Sequence, residues 1–164
     1  NEAFSLLLKK YQQKVYWHIR RMVIDHEDAD DLVQDVFIKV WKNLDSFRQD
    51  AQLYTWLYRI ATNECITFLN KKKSRLSTSF EDVSEKLSES LNDDNYFSGD
   101  AIQKKLQNAL LTLPEKQRLV FNMKYFDDLK FQEISDILGT SVGALKASYH
   151  LAVKKIENYL LSSD

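Results

Sequence analysis

The stretch "GTSVGALKASYHLAVKK", Gly139 to Lys155, decides how the C-terminal part of the chain folds. Gly139-Thr140-Ser141 supplies turn chemistry, and Ser141 is a residue type that caps helix starts. After it, Val142, Leu145, Tyr149, Ala152, Val153 and Ile156 recur at the spacing of one inward helical face. Just upstream, Phe131, Ile134, Ile137 and Leu138 mark a short amphipathic helix, so the whole forms a helix-turn-helix. Its outward side is unusual for a DNA reader. It is centred on Ala147 and Leu151 and flanked by Gly143, Ala144, Ser148 and Lys154, which offer few groups to hydrogen-bond a base.

Working outward, Ile102, Leu106, Ala109, Leu110 and Leu113 form another stripe, and Pro114 opens a helix that reaches about Phe126. The N-terminal half predicts three helices. Phe4, Leu8, Tyr11, Val15, Ile19 and Met22 share one face, and the polar run Asp25-His26-Glu27-Asp28 ends that pattern. The second helix carries Ala29, Leu32, Val33, Val36, Phe37, Val40, Trp41 and Leu44, with acids in its first turns and bases from Lys39 on, a polarity that suits the helix dipole. A loop from about Asp45 to Leu53 leads to "YTWLYRIATNECITFLNKKK". There the apolar periodicity is blurred, as expected when more than one face is in contact.

Only three Gly and one Pro in 164 residues leave little turn chemistry for a sheet, so helices are the default. The net charge of −1 conceals an uneven distribution. Residues 1–78 hold 13 bases and 10 acids, residues 79–100 hold one and seven, and residues 101–164 hold nine and seven. The middle stretch, "FEDVSEKLSESLNDDNYFSGD", has only scattered apolar residues to offset its ordering entropy. It is expected to be a solvated tether with about one helical turn between Val83 and Leu91, the alternative being partial docking on a basic partner surface. The fold class is therefore all-α, with two small helical domains joined by a flexible acidic linker and the C-terminal domain a helix-turn-helix. The divisions fall at 1–76, 77–100 and 101–164.

Three motifs in this order resemble the extracytoplasmic-function (ECF) group of bacterial sigma factors. "DADDLVQDVFIKVW" is similar to the family's second region, "TWLYRIATNECITFL" to its promoter-melting helix, and "LPEKQRLVFNMKYFDDLKFQEISDILGTSVGALK" to its fourth region. The resemblance implies a dissociable subunit that directs RNA polymerase to promoters, melts them and starts transcription, with no active site of its own. The implied partners are core polymerase, through its large-subunit coiled coil and flap, and promoter DNA, both duplex and single-stranded. An anti-sigma factor is a further candidate. A stand-alone helix-turn-helix regulator is the alternative, but it has no need of the second-helix strip or the aromatic third helix.

Under this resemblance Asp31, Gln34, Asp35 and Ile38, three and four residues apart on the outer side of the second helix, form the core-binding strip, with rim charges that steer and Ile38 as anchor. Arg59, Asn63, Thr67, Asn70 and Lys71 are the candidate −10 DNA contacts on the third helix. Relatives usually carry an acid where Thr67 stands and Arg where Asn70 stands, so their −10 preference does not transfer. Trp56 is expected to pack inside rather than stack on a base. The candidate −35 contacts are Arg118, Lys130, Ser141, Gly143, Ala144, Lys146, Ala147, Ser148, Leu151 and Lys154. The family commonly has Arg near 148 and 151; Ser148 and Leu151 remove bidentate guanine readout there. The expectation is readout by groove shape and thymine methyl contact, with cations and helix-start amides on phosphates; the competing assignment gives Leu151 to a protein partner.

The remaining candidates are plain. Cys65 is the only cysteine and reads as a helix-packing residue. His18, His26 and His150 lack ligand spacing, and no phosphate loop or nucleophile motif appears, so neither metal nor cofactor is expected. The acids of "HEDADD" sit at a helix start, where the dipole explains them. The absence of a leader peptide and of a long apolar run fits a cytoplasmic protein that does not insert in a membrane.

Overall fold

The computed structural model describes residues 2–47, 52–75, 80–94 and 100–162, with side chains in the third stretch from Val83 onward. All regular structure among them is helical: α1 (Glu2–Val23), α2 (His26–Asn43), a 3-10 turn (Leu44–Ser46), α3 (Leu53–Arg75), α4 (Phe80–Asn92), α5 (Ala101–Leu111), α6 (Glu115–Tyr125), α7 (Phe131–Leu138) and α8 (Val142–Ser162).

The N-terminal unit is α1, α2 and α3 packed on one another. Val15, Ile19 and Met22 of α1 meet Ala29, Val36 and Val40 of α2 and Leu57, Ala61 and Cys65 of α3 in one fully buried core. The break between α1 and α2 is sharp. Ile24 takes φ +69°, a conformation that costs a β-branched residue about 1–2 kcal/mol. Its side chain is buried, and Asp25 then caps α2 by accepting from the Asp28 amide at 3.0 Å. The blurred pattern of α3 has the cause expected: the helix touches α1 and α2 on its inner sides, α4 near its end, and α7 of the other unit.

In the C-terminal unit α8 packs across α5, α6 and α7. Gly139 ends α7 in the left-handed region at φ +70°, where its amide reaches the Ser135 carbonyl at 2.8 Å. Ser141 caps α8, its Oγ accepting from the Ala144 amide at 3.2 Å. Tyr149 lies between the rings of Phe121 (5.7 Å) and Phe131 (5.9 Å), which fixes the rotation of α8 about its own axis.

Two expectations are corrected. The acidic stretch is not merely a tether, because α4 spans Phe80–Asn92 and buries Val83, Leu87 and Leu91 against α5 and the end of α3. The four-residue spacing of those three side chains is a helical stripe that overall composition conceals. Residues 77–79 and 95–99, also assigned to the linker, lie outside the described residues, as does residue 76 at the end of the first division. The two units are also not independent bodies. α6 packs on α1 and α7 on α3, and Leu119, Val120, Met123, Ile134 and Ile137 share a single apolar cluster with the α1–α3 core.

Candidate nucleic-acid and polymerase surfaces

On α8, Gly143, Ala144, Lys146, Ala147, Leu151 and Lys154 are exposed and Ser148 is partly so, while Leu145, Ala152 and Ile156 are buried on the opposite side. Gly143, Ala147 and Leu151 follow at four-residue intervals, which lays them along a single strip. Leu151 is 49% exposed, an unusual position for a leucine with no partner to cover it. A Cβ on Gly143 would meet nothing within 4 Å, so packing inside the chain does not require glycine there. Small side chains leave this strip flat, and the helix backbone can approach a partner closely. Lys146 stands 6.0 Å from the Phe131 ring, and Lys130, also exposed, begins α7, its amide donating to Glu133 Oε1 at 2.8 Å.

Arg118 does not join this set. Only 4% exposed, it donates from Nη1 to the carbonyl oxygens of Met22 (3.0 Å) and Arg21 (3.2 Å) at the end of α1. Burial pushes its guanidinium down to about 10, with Glu115 acting the other way, so it still carries its charge at neutral pH. Unpaired carbonyls and the negative end of a helix dipole are what a buried cation satisfies. The phosphate role expected for Arg118 gives way to a role at the seam between the two units.

Along α3, Arg59, Asn63, Thr67, Asn70 and Lys71 are all exposed, and spacings of four, four, three and one residues keep them on one side. Arg59 is already occupied, since its Nη2 donates to the Asp136 carbonyl oxygen of α7. Residues 48–51 of the adjoining loop lie outside the described residues. Trp56 is half-buried against Phe47 at 5.1 Å between ring centres, in keeping with a packing role.

Behind the ridge lies a buried polar cluster that sequence reasoning missed. His18 Nδ1 donates to Asp127 Oδ2 at 3.0 Å, and its Nε2 pairs with Thr62 Oγ1 at 2.9 Å. Arg21 reaches Asp127 Oδ1 at 3.4 Å, and the Tyr58 ring stands 4.8 Å from the imidazole. Burial lowers the Arg21 guanidinium, partly offset by Asp127, and raises the Tyr58 phenol, with Asp127 adding to the rise. Since His18 and Asp127 come from different units, no local pattern announces the pair.

On α2, Asp31, Gln34, Asp35 and Ile38 are exposed together, opposite the buried Leu32, Val33, Val36, Phe37 and Val40. Trp41, expected in the buried stripe, is instead 49% exposed and packs edge-on to Phe4 at 5.1 Å. It lies one turn beyond Ile38, itself 51% exposed, so the strip ends in two large apolar side chains rather than one. Among the described residues no group of His, Cys, Asp or Glu is arranged to hold a metal. Cys65 is fully buried and its thiol is pushed up by burial, which suits a packing residue.

Residues 7–75 match the Sigma-70 region 2 family and residues 103–156 the Sigma-70, region 4 family. The chain is 33% identical to the ECF RNA polymerase sigma-E factor of Escherichia coli (strain K12), over 96% of this chain and 86% of that protein. It is likewise 33% identical to the ECF RNA polymerase sigma factor SigW of Bacillus subtilis (strain 168), over 91% and 84%. In fold it is similar to the sigma factor RpoE from Bartonella quintana, solved with the anti-sigma factor NepR, at a TM-score of 0.77, 19% identity and full coverage of both chains. CnrH, solved with the cytosolic domain of CnrY, gives 0.73 at 23% identity, over 99% of this chain and 90% of that one. With an exposed acidic-apolar strip on α2, a polar ridge on α3 and a helix-turn-helix beyond them, the chain belongs to the ECF family of RNA polymerase sigma factors.

Proposed function

We propose that this sigma factor divides its work among three surfaces. Asp31, Gln34, Asp35 and Ile38, extended by Trp41, dock on core polymerase. Asn63, Thr67, Asn70 and Lys71, with Arg59 once it leaves Asp136, hold the opened −10 element. Gly143, Ala144, Ala147, Ser148 and Leu151 lie in the major groove of the −35 element, with Ser141, Lys130, Lys146 and Lys154 on its phosphates. The functional divisions are 1–76 and 101–164, with 77–100 between them. The chain has no active site of its own, works where polymerase works, in the cytoplasm, and no helix among the described residues is long and apolar enough to cross a membrane. An anti-sigma factor is a fitting further partner, since the RpoE structure above is a complex with one.

The observation that carries this division is the α8 strip, in which an exposed leucine and four small residues face outward at helical spacing. Such a surface reads shape and thymine methyls rather than guanine. Photo-crosslinking tests the division. A photoreactive residue at position 63 should label single-stranded DNA at the −10 element, and one at position 147 duplex DNA at the −35 element, in the complex of core, sigma and promoter. Labelling of a polymerase subunit from position 147 would assign the strip to protein.

A further inference from the structure

A concavity of about 350 Å³ lies where α3 meets α4, lined by Phe68, Lys71, Lys72 and Arg75 of α3, Lys86 of α4, and Asp28 of α2. Four cations converge on it from two helices, against one carboxylate. No ion pair engages any of the four among the described residues. Lys72 stands 5.9 Å from the centre of the half-buried Phe68 ring, which places an aromatic face inside the ring of charge. Asp28 is the one carboxylate at its edge: burial foremost, with Asp25 adding, raises it, while Lys72 pulls it back.

Lys86 is the only base in residues 79–100, among seven acids, yet it faces this concavity rather than pairing with a described acid. Its position is held, because Val83, Leu87 and Leu91 are buried on the same helix. Four like charges beside one described carboxylate repel, and an arriving anion relieves that repulsion. The ridge that ends in Asn70 and Lys71 leads directly into the concavity, so a strand lying on α3 continues there.

We infer that Lys71, Lys72, Arg75 and Lys86 form a phosphate cradle for the DNA backbone leaving the α3 ridge, so that α4 contacts promoter DNA through Lys86. The inference rests on the placement of opened DNA along α3. A backbone fits better than a free phosphate because the cradle is continuous with that ridge and offers an aromatic face for a sugar or base beside the charges.

The test uses the full chain bound to core polymerase, on a fluorescent fork template that is duplex upstream and single-stranded across the −10 element, with affinity followed against salt. Lys86→Ala should weaken binding about three- to tenfold, equally on templates of different sequence. It should also flatten the log–log salt slope by about 0.7–0.9, the change expected when one phosphate is no longer neutralised. Lys86→Arg should restore both, and Lys9→Ala, on an exposed part of α1, should change neither. If Lys86→Ala behaves as the parent protein while Asn63→Ala and Thr67→Ala still weaken binding, the cradle is overturned and the α3 surface stands. If none of the three has an effect, the α3 surface falls and the cradle with it. A final arm titrates inorganic triphosphate into the full chain. Binding that Lys86→Ala removes, with fork affinity unchanged, would assign the concavity to a small free phosphate and overturn the DNA assignment.

Discussion

Arg118 caps the end of α1 from across the seam, its Nη1 donating to the Met22 carbonyl oxygen at 3.0 Å. The contact ties the first helix of the N-terminal unit to α6 of the other. Arg118→Ala strips a charged donor from two carbonyls and should lower unfolding stability by about 2–4 kcal/mol in urea titrations. Arg118→Lys should recover only part of the loss, because an ammonium is more strongly hydrated than a guanidinium and costs more to bury. Unchanged stability combined with weaker DNA binding would return Arg118 to the phosphate contacts.

The α2 strip predicts a charge-reversal effect on association. Asp31→Lys with Asp35→Lys should abolish co-purification with core polymerase while the circular dichroism of the protein stays unchanged, since both side chains are exposed. Trp41→Ala should weaken association about tenfold or more, as an exposed aromatic anchor does when it is removed. Full core affinity in the double reversal would move the docking surface off α2.

Alkaline pH should unfold the protein early. Burial raises the Cys65 thiol above its ordinary 9.0 and the Tyr58 phenol above its ordinary 10.0, so the folded state holds protons that the unfolded chain releases. Stability from Cys65 is therefore complete below pH 9 and falls above it, by about 1 kcal/mol between pH 9 and 10. Tyr58 adds to the loss from pH 10 upward, where Arg118, lowered to about 10, begins to act in the opposite sense. Urea midpoints measured from pH 8 to 10 should fall, and Cys65→Ala should flatten the decline; a decline of equal steepness in that variant would mean other groups control it.

How much of this was legible in the sequence depends on whether an element buries one face or several. α1, α2 and α8 each bury one face, so Val15 and Ile19, Val33 and Val36, or Leu145 and Ala152 mark them directly. α3 has partners on several sides, and its pattern shows a helix without showing which neighbours it meets. α4 escaped because its three buried residues are diluted by acids, although Val83, Leu87 and Leu91 lie four apart. Trp41 reads as core by spacing alone, yet it falls at the end of α2, where Phe4 packs against its edge and leaves about half of it exposed.

The seam was not legible at all. His18 and Asp127 stand 109 residues apart, and Arg118 and Met22 stand 96 apart. Buried polar pairs of such separation leave no periodicity. The outward strips fared better, because a face that avoids the core at helical spacing can be identified by subtraction. Asp31 to Ile38 stand out in that way, Asn63 to Lys71 follow from the family resemblance, and the structure exposes each of the candidate contacts among them.

The division of labour between α8 and α3 is tested most directly by transcription with core polymerase on matched templates, one carrying both promoter elements and one a pre-opened bubble with the −10 element alone. Ala147→Glu points a carboxylate from the exposed strip toward a groove rich in acceptors and bordered by phosphates. A reduction of about tenfold or more is expected on the complete promoter, corresponding to the 1–3 kcal/mol typical of a disrupted base contact, with full activity on the bubble. An equal reduction on both templates, or none on either, would contradict that division and leave the α8 strip to a protein partner.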